Sequence, residues 1–244
     1  MNKPAIPSEF ISSCYVGIWL NAFLDGKESL ERCFDALASE LKVVELETNP
    51  MPLLDFFKWL KIKNLEKARV HLPVSGALDG LIDTGAYLDL ALASGQAISL
   101  LGNENYVLVP TQASWRLFPI KLPPKLPVNY WKETESEFTN FILTVGNRIE
   151  AYDLVAKNDN SKELLIALDH NISYLEFPEN QPQKVTELLG RLMRTLAIGL
   201  LAKEAWVPSA SSSKNQLYIE KIEELITRSR SFLSQLANYA YSND

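Results

Sequence analysis

The densest group of side chains able to do chemistry lies in His71-Leu-Pro-Val-Ser-Gly-Ala-Leu-Asp-Gly-Leu81, with Asp83 just beyond it. A histidine titrates close to neutrality and serves as acid or base, and a carboxylate such as Asp79 or Asp83 can orient it. Ser75 adds a hydroxyl, while Gly76 and Gly80 let the main chain come close to a ligand. His71, Ser75, Gly76, Asp79, Gly80 and Asp83 are therefore the candidate ligand-binding residues, on a loop from Pro73 to Gly85.

These residues stop short of a complete catalytic set. The context of Ser75 is not G-x-S-x-G, and an aspartate close in sequence is not triad geometry. His71 and His170 are the only histidines, and no H-x-x-x-H or H-x-H pair occurs, so no zinc site is expected. Neither G-x-G-x-x-G nor the P-loop pattern is present. Asp79, Asp83 and Asp89 could gather at one end of a sheet and hold magnesium, but loops also carry Asp for turn chemistry alone. A hydrogen-bonded structural histidine before the Pro73 turn accounts for His71 better than catalysis does. Catalytic residues, metal ligands and cofactors are all expected to be none.

The elements that must position this loop can be read from periodicity. Phe10, Tyr15, Ile18, Trp19, Ala22 and Phe23 recur at helical spacing until Asp25-Gly26 breaks the run. Ser29 is placed to cap a second helix bearing Leu30, Cys33, Phe34 and Leu37. Leu41 to Glu47 reads as a strand stopped by Asn49-Pro50-Met51-Pro52, and Leu53 to Ile62 as a helix. Ala68 to Val74 is the next strand. A helix capped by Thr84 runs to Ser94, with Gly95 where helices favour a left-handed residue. Three strands follow, Ala97–Leu101, Tyr106–Thr111 and Trp115–Leu122.

Three prolines in Leu122–Val128 mark a boundary, after which the pattern is helical near 132–156, 162–169, 183–205 and 214–241. The fold class is α+β: a mixed sheet of about five strands with flanking helices, followed by a helical C-terminal half. The division is 1–124 for the sheet domain and 125–244 for a helical region packed on it; the alternative is one continuous domain with a shared core.

Composition narrows the function. The chain of 244 residues is 47% hydrophobic and 22% charged, as in a folded globular protein. Its net charge of −6 is spread over both halves, which disfavours non-specific duplex DNA binding. Lys58, Lys61, Lys63, Lys67 and Arg69 form a local basic cluster beside Phe56, Phe57 and Trp59. Single-stranded nucleic acid would suit such a mixture, but an amphipathic helix with a wet lysine face explains it better. Cys14 and Cys33 are read as small buried hydrophobes in a reducing compartment. The uncharged run Ile11–Leu24 lacks a cleavage site and is broken by Asn21, and Leu188–Val207 carries four charges. A cytoplasmic protein with no membrane segment is expected.

Three stretches resemble a known family: Trp19-Leu-Asn-Ala-Phe-Leu-Asp-Gly26, Leu72-Pro-Val-Ser-Gly-Ala-Leu-Asp-Gly-Leu81 and Leu88-Asp-Leu-Ala-Leu-Ala-Ser-Gly-Gln-Ala-Ile-Ser-Leu100. They are similar to the W-x-N-A-W-L-x-G, L-P-x-P-G-D-P-x-G-L and N-x-x-A-L-x-A-G-x-A-V-L patterns of an uncharacterised actinobacterial protein family without assigned activity. The resemblance covers most of residues 15 to 200. Ser75, Ala77 and Leu78 stand where that pattern has proline, aspartate and proline, and Asp89 where it favours asparagine. If the missing acid serves binding in the family, Asp79 would carry the duty here. The resemblance implies the domain layout and an actinobacterial cytoplasm, and it implies no reaction.

The leading functional expectation is a non-enzymatic binding or regulatory protein acting through protein contacts, with a protein partner or self-association. The alternative is a small-molecule-binding protein or enzyme with its site at the Pro73–Gly85 loop. Whether the chain is an enzyme stays open at this stage.

Overall fold

The uncharged run near the N-terminus forms α1 (Ser8–Leu24), whose residues from Ser12 to Phe23 are all buried. A helix buried on every side belongs inside a core, and α1 contributes Cys14 to Phe23 to the main one. Gly17 lets it lie directly on a strand: a Cβ there would sit 2.4 Å from Val70 Cγ2. The computed structural model describes residues 8–46, 49–81, 85–121, 131–150, 170, 172–205 and 213–239.

After α1 come α2 (Leu30–Leu37), β1 (Val43–Leu46), β2 (Asn49–Pro52), α3 (Leu53–Ile62) and β3 (Leu65–His71). Then follow α4 (Leu88–Ser94), β4 (Ala97–Gly102), β5 (Asn105–Pro110) and β6 (Trp115–Ile120). The helical half comprises α5 (Trp131–Glu150), α6 (Gln183–Ala205) and α7 (Ser213–Tyr239). Ser29 caps α2 as expected, its hydroxyl accepting from the Arg32 amide at 3.2 Å.

The sheet is mixed and has six strands in the order β2-β1-β6-β5-β4-β3. Only β1 and β6 run parallel; the other four neighbouring pairs are antiparallel. The fold is α+β, a mixed sheet with flanking helices and a helical C-terminal half, as expected; the strand beyond the five read in the sequence is β2, where Asn49-Pro50-Met51-Pro52 looks like a strand stop and is a proline-bearing edge strand, the place where a sheet tolerates proline. The strand read as Ala68–Val74 begins at Leu65 and ends at His71, since Pro73 and the turn after it carry the chain away. The helix read from Thr84 is described as Leu88–Ser94, and Thr84 lies outside the described residues, as does the helix expected at 162–169.

One sheet face carries the main core. Trp19, Phe56, Phe57, Leu100 and Leu108 share a single buried cluster with Phe138, Leu188, Leu192 and Leu233 of the helical half. The core is thus continuous across the proline-rich stretch. Aromatic edges lock it, with Phe23 on Phe57 at 4.6 Å and Trp59 on Tyr106 at 4.9 Å between ring centres. The opposite face has a smaller cluster: Leu81, Tyr87 and Ala91 over Ala97, Val107 and Val109.

Candidate functional site

His71 reaches the second face through strand alternation. Ala68, Val70 and Leu72 belong to the main core, so Arg69 and His71 point the other way. In the ladder with β4, Arg69 lies opposite Ser99 and His71 opposite Ala97. The chain then turns twice. Val74 and Ala77 exchange both backbone hydrogen bonds at 2.9 Å around Ser75-Gly76, and Gly76 has φ +86°. A positive φ at the second central residue is the type II requirement that glycine meets without strain. Asp79 and Gly80 follow with φ of 51° and 85°, and the Leu81 amide donates to the Leu78 carbonyl at 3.0 Å. Two positive φ values in Asp-Gly are the type I′ signature.

The second turn is pinned from within. The Asp79 carbonyl lies 2.8 Å from His71 Nδ1, and Ser99 Oγ lies 2.8 Å from His71 Nε2. A carbonyl only accepts, so Nδ1 carries the proton and donates, and Nε2 accepts from the Ser99 hydroxyl. Burial pushes the His71 pKa down to about 4, opposed by the Asp79 carbonyl and reinforced by the Arg69 charge, so the ring is neutral at pH 7. The Asp79 carboxylate accepts from the Leu72 amide at 2.7 Å. Burial raises its pKa to about 6, opposed by the Leu72 N–H bond and by the neighbouring Ser234 hydroxyl.

A serine hydroxyl on a histidine nitrogen has the contact of a nucleophile and its base. Here the third partner is a main-chain carbonyl, and Ser99 and His71 are both 0% exposed. The pair is sealed inside the protein, and a ring of such low pKa is a feeble base at neutral pH.

The candidate residues therefore separate. His71 and Asp79 meet in one hydrogen-bonded unit, while Ser75 and Gly76 are exposed at the tip of the first turn. Gly80 supplies the backbone of the second turn, and Asp83 lies outside the described residues. No group of three or more His, Cys, Asp or Glu placed to hold a metal ion occurs among the described residues. Cys14 and Cys33 are free and buried, and burial raises both thiols, Cys33 to about 12. They stay protonated and unreactive.

The basic cluster also divides. Phe56 and Phe57 are 0% exposed, and the half-buried Trp59 stacks on Phe56 at 6.0 Å. Lys58 pairs with Asp55 and Lys63 with Glu104, at 3.0 and 2.9 Å.

Sequence reading missed the groups that finish this region. β3 is an edge strand, and its outward backbone groups are met by side chains. Asn21 bonds both polar groups of Ala68, at 2.7 and 2.8 Å; Asn238 bonds both of Val70, each at 2.8 Å; Asp79 takes the Leu72 amide. A carboxamide offers the donor and acceptor that a neighbouring strand would, which closes the edge against other chains. The available signal was small: Asn21 inside an apolar run, and Arg230, Ser234 and Asn238 at four-residue spacing on α7.

No helix among the described residues is long and apolar enough to cross a membrane. No curated protein and no solved structure matches the chain. Residues 13–130, from within α1 to just short of α5, match the family described as Rv1486c-like protein, N-terminal domain, and it is to this domain that the sheet-bearing half is similar.

Proposed function

We propose that the protein is a non-enzymatic binding protein that acts through protein contacts, made on the outer face of α2 and α3. The supporting observation is a shallow groove lined by Leu30, Glu31, Phe34 and Leu54. Its three apolar residues stand 38%, 37% and 42% exposed, whereas the polar groups of the His71 turn are spent on the fold. Leu30 and Phe34 are one helical turn apart, the spacing at which a groove receives the apolar stripe of a helix. Glu31 and Asp35 flank them without an ion pair among the described residues, while Asp55 is neutralised by Lys58. An apolar groove with an acidic rim fits a segment bearing leucine-like side chains and flanking lysine or arginine.

The test is affinity capture from the protein's own cells with wild type, Phe34→Glu and Ser75→Ala in parallel. Photo-crosslinking from benzoylphenylalanine at Leu54 accompanies it. A protein retained by wild type and Ser75→Ala, lost by Phe34→Glu and crosslinked from Leu54 is the expected result. Equal capture by Phe34→Glu, at unchanged circular dichroism, would remove the reading. The small-molecule or enzyme alternative keeps one specific contact in its favour, Ser99 Oγ on His71 Nε2. A fluorophosphonate probe decides it: no labelling is expected, and covalent labelling of Ser99 would establish an enzyme instead.

A further inference from the structure

Helix α7 shows one polar stripe in an apolar setting. Phe232, Leu233, Leu236 and Ala237 are no more than 3% exposed and belong to the main core. Between them, Arg230, Ser234 and Asn238 fall four residues apart, hence on a single helix face. Arg230 and Asn238 each hold a different segment of the sheet half, and Ser234 stands beside a third. Arg230 Nη1 donates to the Gly95 carbonyl at 2.6 Å, at the C-terminal end of α4. Ser234 donates its hydroxyl proton to the Ser231 carbonyl of its own helix at 3.2 Å and stands beside the Asp79 carboxyl of the second turn, whose pKa it lowers. Asn238 bonds Val70 on the β3 edge through both its donor and its acceptor.

The Gly95 seat is shaped for its occupant. A Cβ at Gly95 would lie 2.2 Å from Arg230 Nη1, and its φ of +65° is itself a glycine conformation. Two of these segments, the second turn and α4, also cover the second sheet face. The turn ends at Leu81 and α4 contributes Ala91, both in the small cluster over Val107 and Val109. The cover is thin: Ala91 is the one fully buried residue of α4, and Leu78, Leu88 and Leu90 pack half-buried beside it.

We propose that α7 is a clasp coupling the helical half to the cover of the sheet's second face, so that the β3 edge, the Asp79 turn and the Gly95 end of α4 loosen together when one hold is released. The rigid member is α7, set in the main core, and the responsive members are the three segments. The residues that match the N-terminal domain family are therefore completed, at their edge and over their second face, by a helix lying outside that match. A displacement of α7 by any contact on the helical half would be felt at the second face through these polar contacts as well as through the main core.

Hydrogen exchange of the full chain measures this directly. Ser234→Ala removes the hydroxyl beside Asp79, together with its bond to the Ser231 carbonyl, and leaves a small side chain that packs. It is expected to speed exchange about tenfold at Leu72 and Leu81, the scale of one lost hydrogen bond. Exchange at Val70 and Gln96 should rise with them, while Ile18, Leu100 and Leu108 stay unchanged. Asn238→Ala should produce the same pattern from the other end. Acceleration confined to the segment each residue touches would overturn coupling, and a uniform rise that includes Ile18 and Leu108 would overturn a clasp distinct from global stability.

Discussion

The two faces of the sheet are held by different means. On the first, α1, α3, α6 and α7 bury large side chains against one another, and Trp19, Phe57, Leu192 and Leu233 are each no more than 2% exposed. On the second, the tight turn ending at Leu81 and the short α4 lie over Ala97, Val107 and Val109. Broad apolar burial places a helix without any particular bond, because every contact contributes a little. A short cover lacks that area and depends on directed bonds: His71 to Asp79, Asp79 to Leu72, Arg230 to Gly95. The histidine and aspartate that look catalytic in sequence are the fasteners of the thinner side.

The sharpest way to break this comparison is to open a cavity on each face. Phe57→Ala removes a ring that is 0% exposed and lies against Phe23 and Phe56. It should cost about 3–5 kcal/mol in urea unfolding. Val107→Ala on the second face should cost about 2 kcal/mol, and its loss should appear mainly as faster exchange around Leu81. Equal costs, with the whole chain loosened in both cases, would mean that the two faces are one cooperative core.

Titration separates the fasteners from the core. The folded His71 pKa of about 4 lies below its ordinary 6.5, so its contribution to stability is present above pH 6.5 and is lost as pH falls toward 4. The folded Asp79 pKa of about 6 lies above its ordinary 3.8, so its contribution has the opposite sign and grows as pH falls from 6 to 3.8. Over the shared window the two largely cancel. Asp79→Asn keeps an acceptor for the Leu72 amide and tolerates a left-handed backbone, yet cannot titrate. This variant should therefore lose about 3 kcal/mol more than wild type between pH 6.5 and 4, because the Asp79 gain that offsets the His71 loss in wild type is absent. Parallel profiles for the two proteins would show that Asp79 does not titrate as a buried acid.

The same contrast explains what could be read in advance. Elements built on periodicity were legible: α1 from its apolar recurrence, α2 from Ser29, and β4, β5 and β6 from their β-rich runs and polar connections. The end of α4 was legible from Gly95, whose φ is indeed left-handed. Asp79-Gly80 carried its turn type in its own residues. Illegible were β2, whose prolines argue against a strand, and the start of β3 at Leu65. The fasteners were hidden for a different reason. Asn238 and Val70 are 168 residues apart, and Ser99 is 28 from His71, so no local pattern joins them. Asn21 looked like a flaw in an apolar run, and it is the residue that closes the sheet edge at Ala68.

The smallest expected effects compare two glycines of the thin face. Gly76 has φ +86° with nothing within 4 Å of an added Cβ, so Gly76→Ala meets only backbone strain. It should cost about 1 kcal/mol and leave exchange elsewhere untouched. Gly95 has a similar φ of +65°, but its added Cβ would meet Arg230 Nη1 at 2.2 Å and Nη2 at 2.8 Å. Gly95→Ala must carry the same strain and also push the guanidinium off the carbonyl it holds, for a total of about 2 kcal/mol or more. The difference between the two variants isolates the Arg230 hold, because the backbone term is common to both. In Gly95→Ala the Leu81 and Val70 amides should exchange faster even though neither adjoins the substitution, whereas in Gly76→Ala they should not. Equal costs for the two glycines would place Arg230 among ordinary surface contacts and leave the cover of the second face standing on its apolar residues alone.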